Sequence, residues 1–204
     1  MKTTLMTSGR RYLEKAIMGV LSRIPDTVET HGADPVRRAR AIANAAALKA
    51  ASVSGTLSLP PGPAGWLTII PDLTMVWKIQ SQMVADIAGA FGQTSTLSQE
   101  QMLYCLFRHA AAQAVRDLVV RAGERILIKR VPARGLQAAI RKIGVPVARR
   151  VAGRGISRWL PIVGAVGVAG YAYYDTRRVA VTAIDLFRSE SIEQTAATDS
   201  QRRE

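Results

Sequence analysis

The stretch that decides the fold is Gly65–Gly92, GWLTIIPDLTMVWKIQSQMVADIAGAFG. From Leu73 onward its apolar residues recur mostly every three, four or seven positions, as in a helix that packs one face on a core. Pro71 fits the first turn of this helix, where a backbone N–H has no helical partner, or would kink a longer helix. Gly92 fits the left-handed residue that often follows a helix end. The stretch predicts a long buried helix, and it contains no catalytic or cofactor motif.

The residues before this stretch also predict helices. Thr3–Ser22 carries apolar residues partly at helical spacing. Asp34 is typical of an N-cap and Pro35 of a first helical residue, so an alanine-rich helix is predicted from Pro35 to about Val53. Clustered prolines and glycines in Ser54–Pro63 predict a loop.

After the central stretch, the sequence predicts another long helix. Ser98 and Gln101 match a capping box, and the helix that follows is expected to reach about Arg130. No segment alternates between apolar and polar residues as a half-buried strand does.

The last third of the chain reads as a basic segment followed by a glycine-rich helix. Arg134–Arg154 predicts one or two short basic helices, with a break near Gly144 to Pro146. Pro161 opens a final helix that is expected to end at about Phe187. Three glycines recur every third residue on this helix, and we expect them to lie in the packed core rather than against a partner helix. They are Gly164, Gly167 and Gly170.

These elements define an all-α protein, a single compact multi-helix domain of roughly six or seven helices with a glycine-rich C-terminal helix. Residues 1–33 are interpreted as an N-terminal helix and linker, and residues 34–188 as the helical domain. Residues 189–204 are polar and predict a flexible tail.

Charge is the strongest global property of the sequence. The net charge is +13, and Arg108–Arg158 holds thirteen Lys or Arg residues against two acids, Asp117 and Glu124. A field of this sign attracts phospholipid headgroups, nucleic acid or acidic protein, although a solvated arginine-rich surface gives the same count. Six basic residues are the candidates for binding an anionic partner: Arg141, Lys142, Arg149, Arg150, Arg154 and Arg158.

Two apolar segments raise the question of membrane contact. Trp159–Tyr174 has no charged residue but is 16 residues long, and Val53–Trp77 is interrupted by four prolines. A spanning helix needs roughly 20 apolar residues, so burial or shallow interfacial insertion is favoured for both. Trp66 and Trp159 are the candidates for the membrane interface. The N-terminus lacks a convincing signal peptide, which predicts a cytoplasmic protein.

Reactive side chains are sparse. Cys105 is the only cysteine, and its helical setting predicts a buried packing residue. His31 and His109 have no further ligand at metal-binding spacing, so no metal or cofactor is predicted. An enzyme would require Asp72 or Asp86 beside His109 in an apolar pocket, and no motif indicates that arrangement.

Taken together, the order of motifs resembles the bacterial EcsC-like family. The sequence runs from an alanine-rich helix through a hydrophobic segment with a Pro-Asp pair to a glutamine-containing helix that ends near a glycine. A late Pro-x-x-Gly then precedes a glycine-rich helix. The resemblance covers about Ala41–Phe187. Its motif positions in this chain are Gly65, Trp66, Pro71, Asp72, Gln80, Gln82, Gly92, Pro161, Gly164, Arg177 and Arg178.

The resemblance implies a non-enzymatic accessory protein, since no catalytic residue is established for this family. With the basic segment, it predicts a protein peripheral to the cytoplasmic face of the inner membrane that binds anionic lipid or an anionic partner protein. The alternative is a soluble interaction module whose basic face binds an acidic protein or, non-specifically, nucleic acid.

Overall fold

The computed structural model describes residues 2–57, 69–115, 118–122, 125–128, 130–154 and 161–201. Within these ranges lie seven helices and one antiparallel two-stranded hairpin. The helices are α1 (Lys2–Leu21), α2 (Pro35–Leu57), α3 (Ile69–Ala90), α4 (Gln99–Phe107), α5 (Ala112–Val115), α6 (Ala133–Arg154) and α7 (Pro161–Gln201). The strands are β1 (Val119–Ala122) and β2 (Arg125–Ile128).

Helix α3 is the centre of the core, as the sequence predicts. It packs against α1, α2, α4 and α7. Its residues Met83, Val84 and Ile87 are fully buried, and the ring of Trp77 meets that of Phe107 edge to face at 5.4 Å. The predominantly helical fold class is therefore confirmed.

Helix α2 packs against both α3 and α7, and its small side chains allow the helices to approach closely. Ala39, Ala43, Ala47 and Ala50 recur at helical spacing and are all buried. The predicted N-cap is confirmed, because Asp34 Oδ1 accepts a hydrogen bond at 2.9 Å from the backbone N–H of Arg37, the third helical residue.

The segment between α3 and α4 is fixed by two predicted caps. Gly92 has φ +73°, and the Gln93 N–H donates to the carbonyl of Ala88 at 2.8 Å, which is the Schellman arrangement. Ser98 and Gln101 form the reciprocal capping box at the start of α4. Both local predictions are confirmed.

Side chains from this same segment reach α7. The Gln93 amide donates to the carbonyl of Phe187 at 2.9 Å and to the hydroxyl of Ser191 at 2.8 Å. The amide of Gln101, whose oxygen completes the capping box, donates to Glu190 at 2.8 Å. The α3–α4 connection and the start of α4 are therefore bonded to a part of α7 that lies 89 to 98 residues away in sequence.

The predicted long helix from Ser98 to Arg130 is wrong. Helix α4 ends at Phe107, and the one-turn helix α5 follows it. Strand β1 then pairs with β2, and Val119 lies opposite Ile128. The two strands are rich in β-branched residues, which favour extended backbone, and they are joined in the sequence by Gly123-Glu124, a hairpin signal. The expectation that the chain holds no strand was wrong for the same reason.

Three other predicted boundaries are also wrong. Helix α2 runs to Leu57, so the first four residues of the predicted Ser54–Pro63 loop are helical. Helix α6 is continuous through Pro146, which removes one intrahelical hydrogen bond but does not end the helix. Helix α7 does not stop at Phe187 and continues to Gln201. The flexibility of residues 189–204 stays a prediction.

Helix α1 packs mainly against α6, with a smaller contact to α3. Ile17 and Leu21 of α1 are buried in the same core as Ile140 and Ile143 of α6. The part of α1 from Leu13 to Leu21 therefore contributes to the core of the helical domain.

Two helical glycines should respond to alanine in opposite directions. A Cβ on Gly89 would lie 2.6 Å from the carbonyl oxygen of Glu29, whereas one on Gly170 would meet nothing within 4 Å. We expect Gly89→Ala to lower the free energy of unfolding by about 1–3 kcal/mol through the clash. Gly170→Ala should raise it by about 0.5–1 kcal/mol, because glycine costs backbone entropy in a helix. Urea denaturation of both variants is the measurement, and equal shifts of the same sign would contradict the described packing.

Candidate functional site

The candidate site is a basic surface formed by α6 together with α1. Helix α6 carries six Lys or Arg residues and no acid along its 22 residues. Of these, Arg134, Arg141 and Lys142 are exposed. The opposite side of the helix, with Leu136, is buried in the core, so the helix presents its described charges to solvent.

A groove of about 340 Å³ lies between α1 and α6, and we call it the α1–α6 groove. Three cations line it against one acid, and two apolar side chains complete the lining with Gln137. The cations are Arg11, Lys15 and Arg141, the acid is Glu14, and the apolar side chains are Met18 and Ile140. The excess of positive charge, with apolar surface beside it, suits an amphiphilic anion.

The six basic residues predicted to bind an anionic partner occupy three situations. Arg141 and Lys142 are exposed, and Arg141 lines the α1–α6 groove. Arg149, Arg150 and Arg154 lie farther along α6, on a part of the helix whose side chains fall outside the described structure. Arg158 and the two interface candidates Trp66 and Trp159 lie outside the described residues.

The contribution of α1 to this surface was not predicted from the sequence. Arg11 and Lys15 are four residues apart and therefore lie on one face of the helix, which is a readable local signal. The packing of this face against α6 cannot be predicted from local sequence, because the residues in contact are more than a hundred positions apart.

The motif positions behind the EcsC-like resemblance do not form one cluster in the described structure. Pro71 and Asp72 fall within the first turn of α3, as predicted, and Pro161 is the first residue of α7. Gly164 follows within the first turn of α7. Gln80, in contrast, is fully buried in the middle of α3.

Gln80 belongs to a buried polar cluster that joins three helices. Its amide nitrogen donates to Asp175 Oδ2 at 2.9 Å and to the hydroxyl of Thr176 at 3.2 Å. His109, just beyond the end of α4, donates from Nε2 to Asp175 Oδ1 at 2.9 Å, because a carboxylate accepts only. The His109 and Asp175 side chains are 12% and 17% exposed. The cluster therefore links α3, the end of α4, and α7.

This cluster does not match the enzyme arrangement considered from sequence. His109 pairs with Asp175, whereas Asp86 accepts hydrogen bonds from Thr27 at 2.7 Å and Gln82 at 2.9 Å. The Asp72 side chain lies outside the described structure.

Cys105, one helical turn before His109, is fully buried as predicted. Burial raises the pKa of its thiol well above the ordinary value, so the neutral thiol rather than the thiolate is present at neutral pH.

Among the described residues, no group of three His, Cys, Asp or Glu side chains is placed to hold a metal ion. None of the helices in those ranges combines the length and the apolar character that crossing a membrane requires.

No family model, curated protein or solved structure matches this chain. The EcsC-like resemblance therefore stays an interpretation of the sequence motifs.

The polar cluster should contribute to stability. Asp175→Ala would leave the His109 Nε2–H without its acceptor in a largely buried position, and we expect the free energy of unfolding to fall by about 2–3 kcal/mol. Asp185→Ala, an exposed acid ten residues later on α7, is the matched control and should change it by about 0.5 kcal/mol or less. Urea denaturation measures both, and equal effects would mean that the cluster does not hold the helices together.

The single thiol should be inert in the folded protein. Because Cys105 is buried and its pKa is raised, we expect no reaction with an aromatic disulfide reagent at pH 8 over minutes. One thiol per chain should react at once in denaturant. Rapid reaction of the native protein would show that the α4 region opens readily.

Proposed function

We propose that this protein is a non-enzymatic, EcsC-like helical protein that binds anionic membrane surfaces peripherally, on the cytoplasmic side, through α6 and the α1–α6 groove. The observation that carries this proposal is the charge of α6, which exposes cations along a helix with no acid. Arg11 and Lys15 extend the same positive surface across the groove onto α1.

The surroundings of the cations favour a lipid surface over nucleic acid or an acidic protein. Half-buried Met18 lines the groove beside the charges, and Val145 is exposed one turn beyond Arg141. An interfacial site offers phosphates for the cations and an apolar boundary for these side chains. A nucleic-acid backbone offers only the phosphates.

The expected strength of this contact is modest. Each Lys or Arg near an anionic surface contributes about 1 kcal/mol, so the three cations of the groove supply about 3 kcal/mol. That value corresponds to a dissociation constant in the millimolar range or weaker. Because this part of the attraction is electrostatic, salt should weaken it.

Charge reversal on α6 tests the proposal. We expect the wild-type protein to sediment with phosphatidylglycerol-containing vesicles at low salt and not with neutral vesicles. Arg141→Glu with Lys142→Glu should lower the bound fraction at least about fivefold, since two charges change sign and the net charge at the contact falls by about four units.

The matched control is Arg37→Glu with Arg40→Glu. Both arginines are exposed on α2, which does not line the groove, and the net charge changes by the same amount. Equal losses in both double variants would mean that net charge matters and that α6 has no special role. Tight, salt-sensitive binding to duplex DNA without vesicle binding would support the alternative of a soluble nucleic-acid-binding module.

A further inference from the structure

The outer face of the first half of α7 is apolar, and the described residues leave it uncovered. Val166 is 70% exposed and Tyr174 is 59% exposed. Gly167 and Gly170, which we expected in the packed core, lie on this outer side, and a Cβ on either would meet nothing within 4 Å. The inner face of the same segment, with Val168 and Ala172, is buried.

This part of α7 lies at one end of the helical bundle. A Cβ on Gly55, near the end of α2, would lie 3.4 Å from Ala169 of α7. Ala50, Val76 and Ala172 form a small apolar cluster among α2, α3 and α7. The end of α2 and the first part of α3 therefore support the start of α7.

The residues along α7 follow the order found at a membrane interface. No charged residue occurs from Pro161 to Tyr174, and Tyr173 and Tyr174 complete that run. The guanidinium of Arg178 then lies 5.7 Å from the centre of the Tyr174 ring. Apolar residues, tyrosine and arginine in this order correspond to acyl chains, headgroup boundary and phosphates.

The dimensions agree with insertion into one leaflet. At 1.5 Å per residue, Val166 lies about 12 Å from Tyr174 along the helix axis. One leaflet of the hydrocarbon core is about 15 Å thick. An obliquely inserted helix end can therefore bury Val166 while Tyr174 and Arg178 stay at the headgroups.

The basic helix can reach the same membrane. Helix α6 ends at Arg154 and α7 begins at Pro161, and seven residue steps span at most about 25 Å. The end of α6 therefore lies at most about 25 Å from the start of α7.

We propose that the N-terminal end of α7 inserts into the lipid interface as a second, apolar contact that acts with the basic surface. This inference rests on the proposed membrane-binding function and identifies the element that enters the lipid. A second copy of the chain is a poorer occupant, because each copy carries a net charge of +13 and the apolar run stops within one turn of Arg178.

A fluorescent label attached to α7 at position 166 or, in a second variant, at position 181 tests insertion. Val166→Cys and Val181→Cys replace the same residue type at exposed positions of one helix, 70% and 53% exposed. Buried Cys105 should not compete for the label. With an environment-sensitive dye and phosphatidylglycerol-containing vesicles, we expect a blue shift and increased intensity for the label at position 166 and little change at position 181.

Substitutions by aspartate test whether insertion contributes to affinity. Val166→Asp should weaken binding to the same vesicles at least about tenfold and remove the fraction that survives high salt, because it places a charge where apolar contact is needed. Val181→Asp is the control and should leave both quantities unchanged. Equal effects of the two substitutions would overturn the proposal.

The outcomes separate this inference from the proposed function. Loss of binding on Arg141→Glu with Lys142→Glu, with no dye response at position 166, would overturn insertion and leave the electrostatic contact in place. A dye response with neutral vesicles that the charge reversal does not affect would support insertion and overturn the basic-surface proposal. A dye response that depends on protein concentration without vesicles would show a second copy as the occupant and overturn insertion.

Discussion

The interaction on which the rest of the structure depends is the hydrogen bonding of Gln80 and His109 to Asp175. It joins the middle of α3, the end of α4 and α7 inside a predominantly apolar core. Apolar contacts tolerate sliding, whereas buried donors and acceptors are satisfied in one register and are costly in others. This cluster therefore sets the position of α7 along α3. The alanine face of α2 then packs against both helices. The outer side of α7 is the side that these contacts leave exposed.

Much of the fold was readable from sequence wherever the signal was local. The period of α3, the left-handed Gly92 and the Ser98–Gln101 box each depend on residues within a few turns. The hairpin was missed because the surrounding sequence is rich in helix-forming residues and the strands are four residues long. The continuity of α6 was missed because a proline inside a helical pattern normally ends or kinks the helix, whereas α6 continues through Pro146 to Arg154.

The candidate site was predictable in part. The run of cations identified Arg141 and Lys142, but nothing local places Arg11 and Lys15 across a groove from them. Nor does sequence bring His109 to Asp175, since 66 positions separate them. The polar groups described in the interior connect helices to each other, and the described cations of α6 lie on the outside.

The bonds from Gln93 and Gln101 to residues 187–191 have a consequence for the order of folding. They join positions 89 to 98 residues apart, so the closing of the α3–α4 connection waits for the last quarter of the chain. During synthesis from the N-terminus, α2 and α3 can pair early, but α4 cannot complete its polar contacts until α7 has emerged. The nascent chain thus passes through a stage in which the apolar side of α4, with Leu103 and Leu106, lacks its final cover. The polar contacts between the α3–α4 connection and α7 can therefore form only after nearly the whole chain has been made.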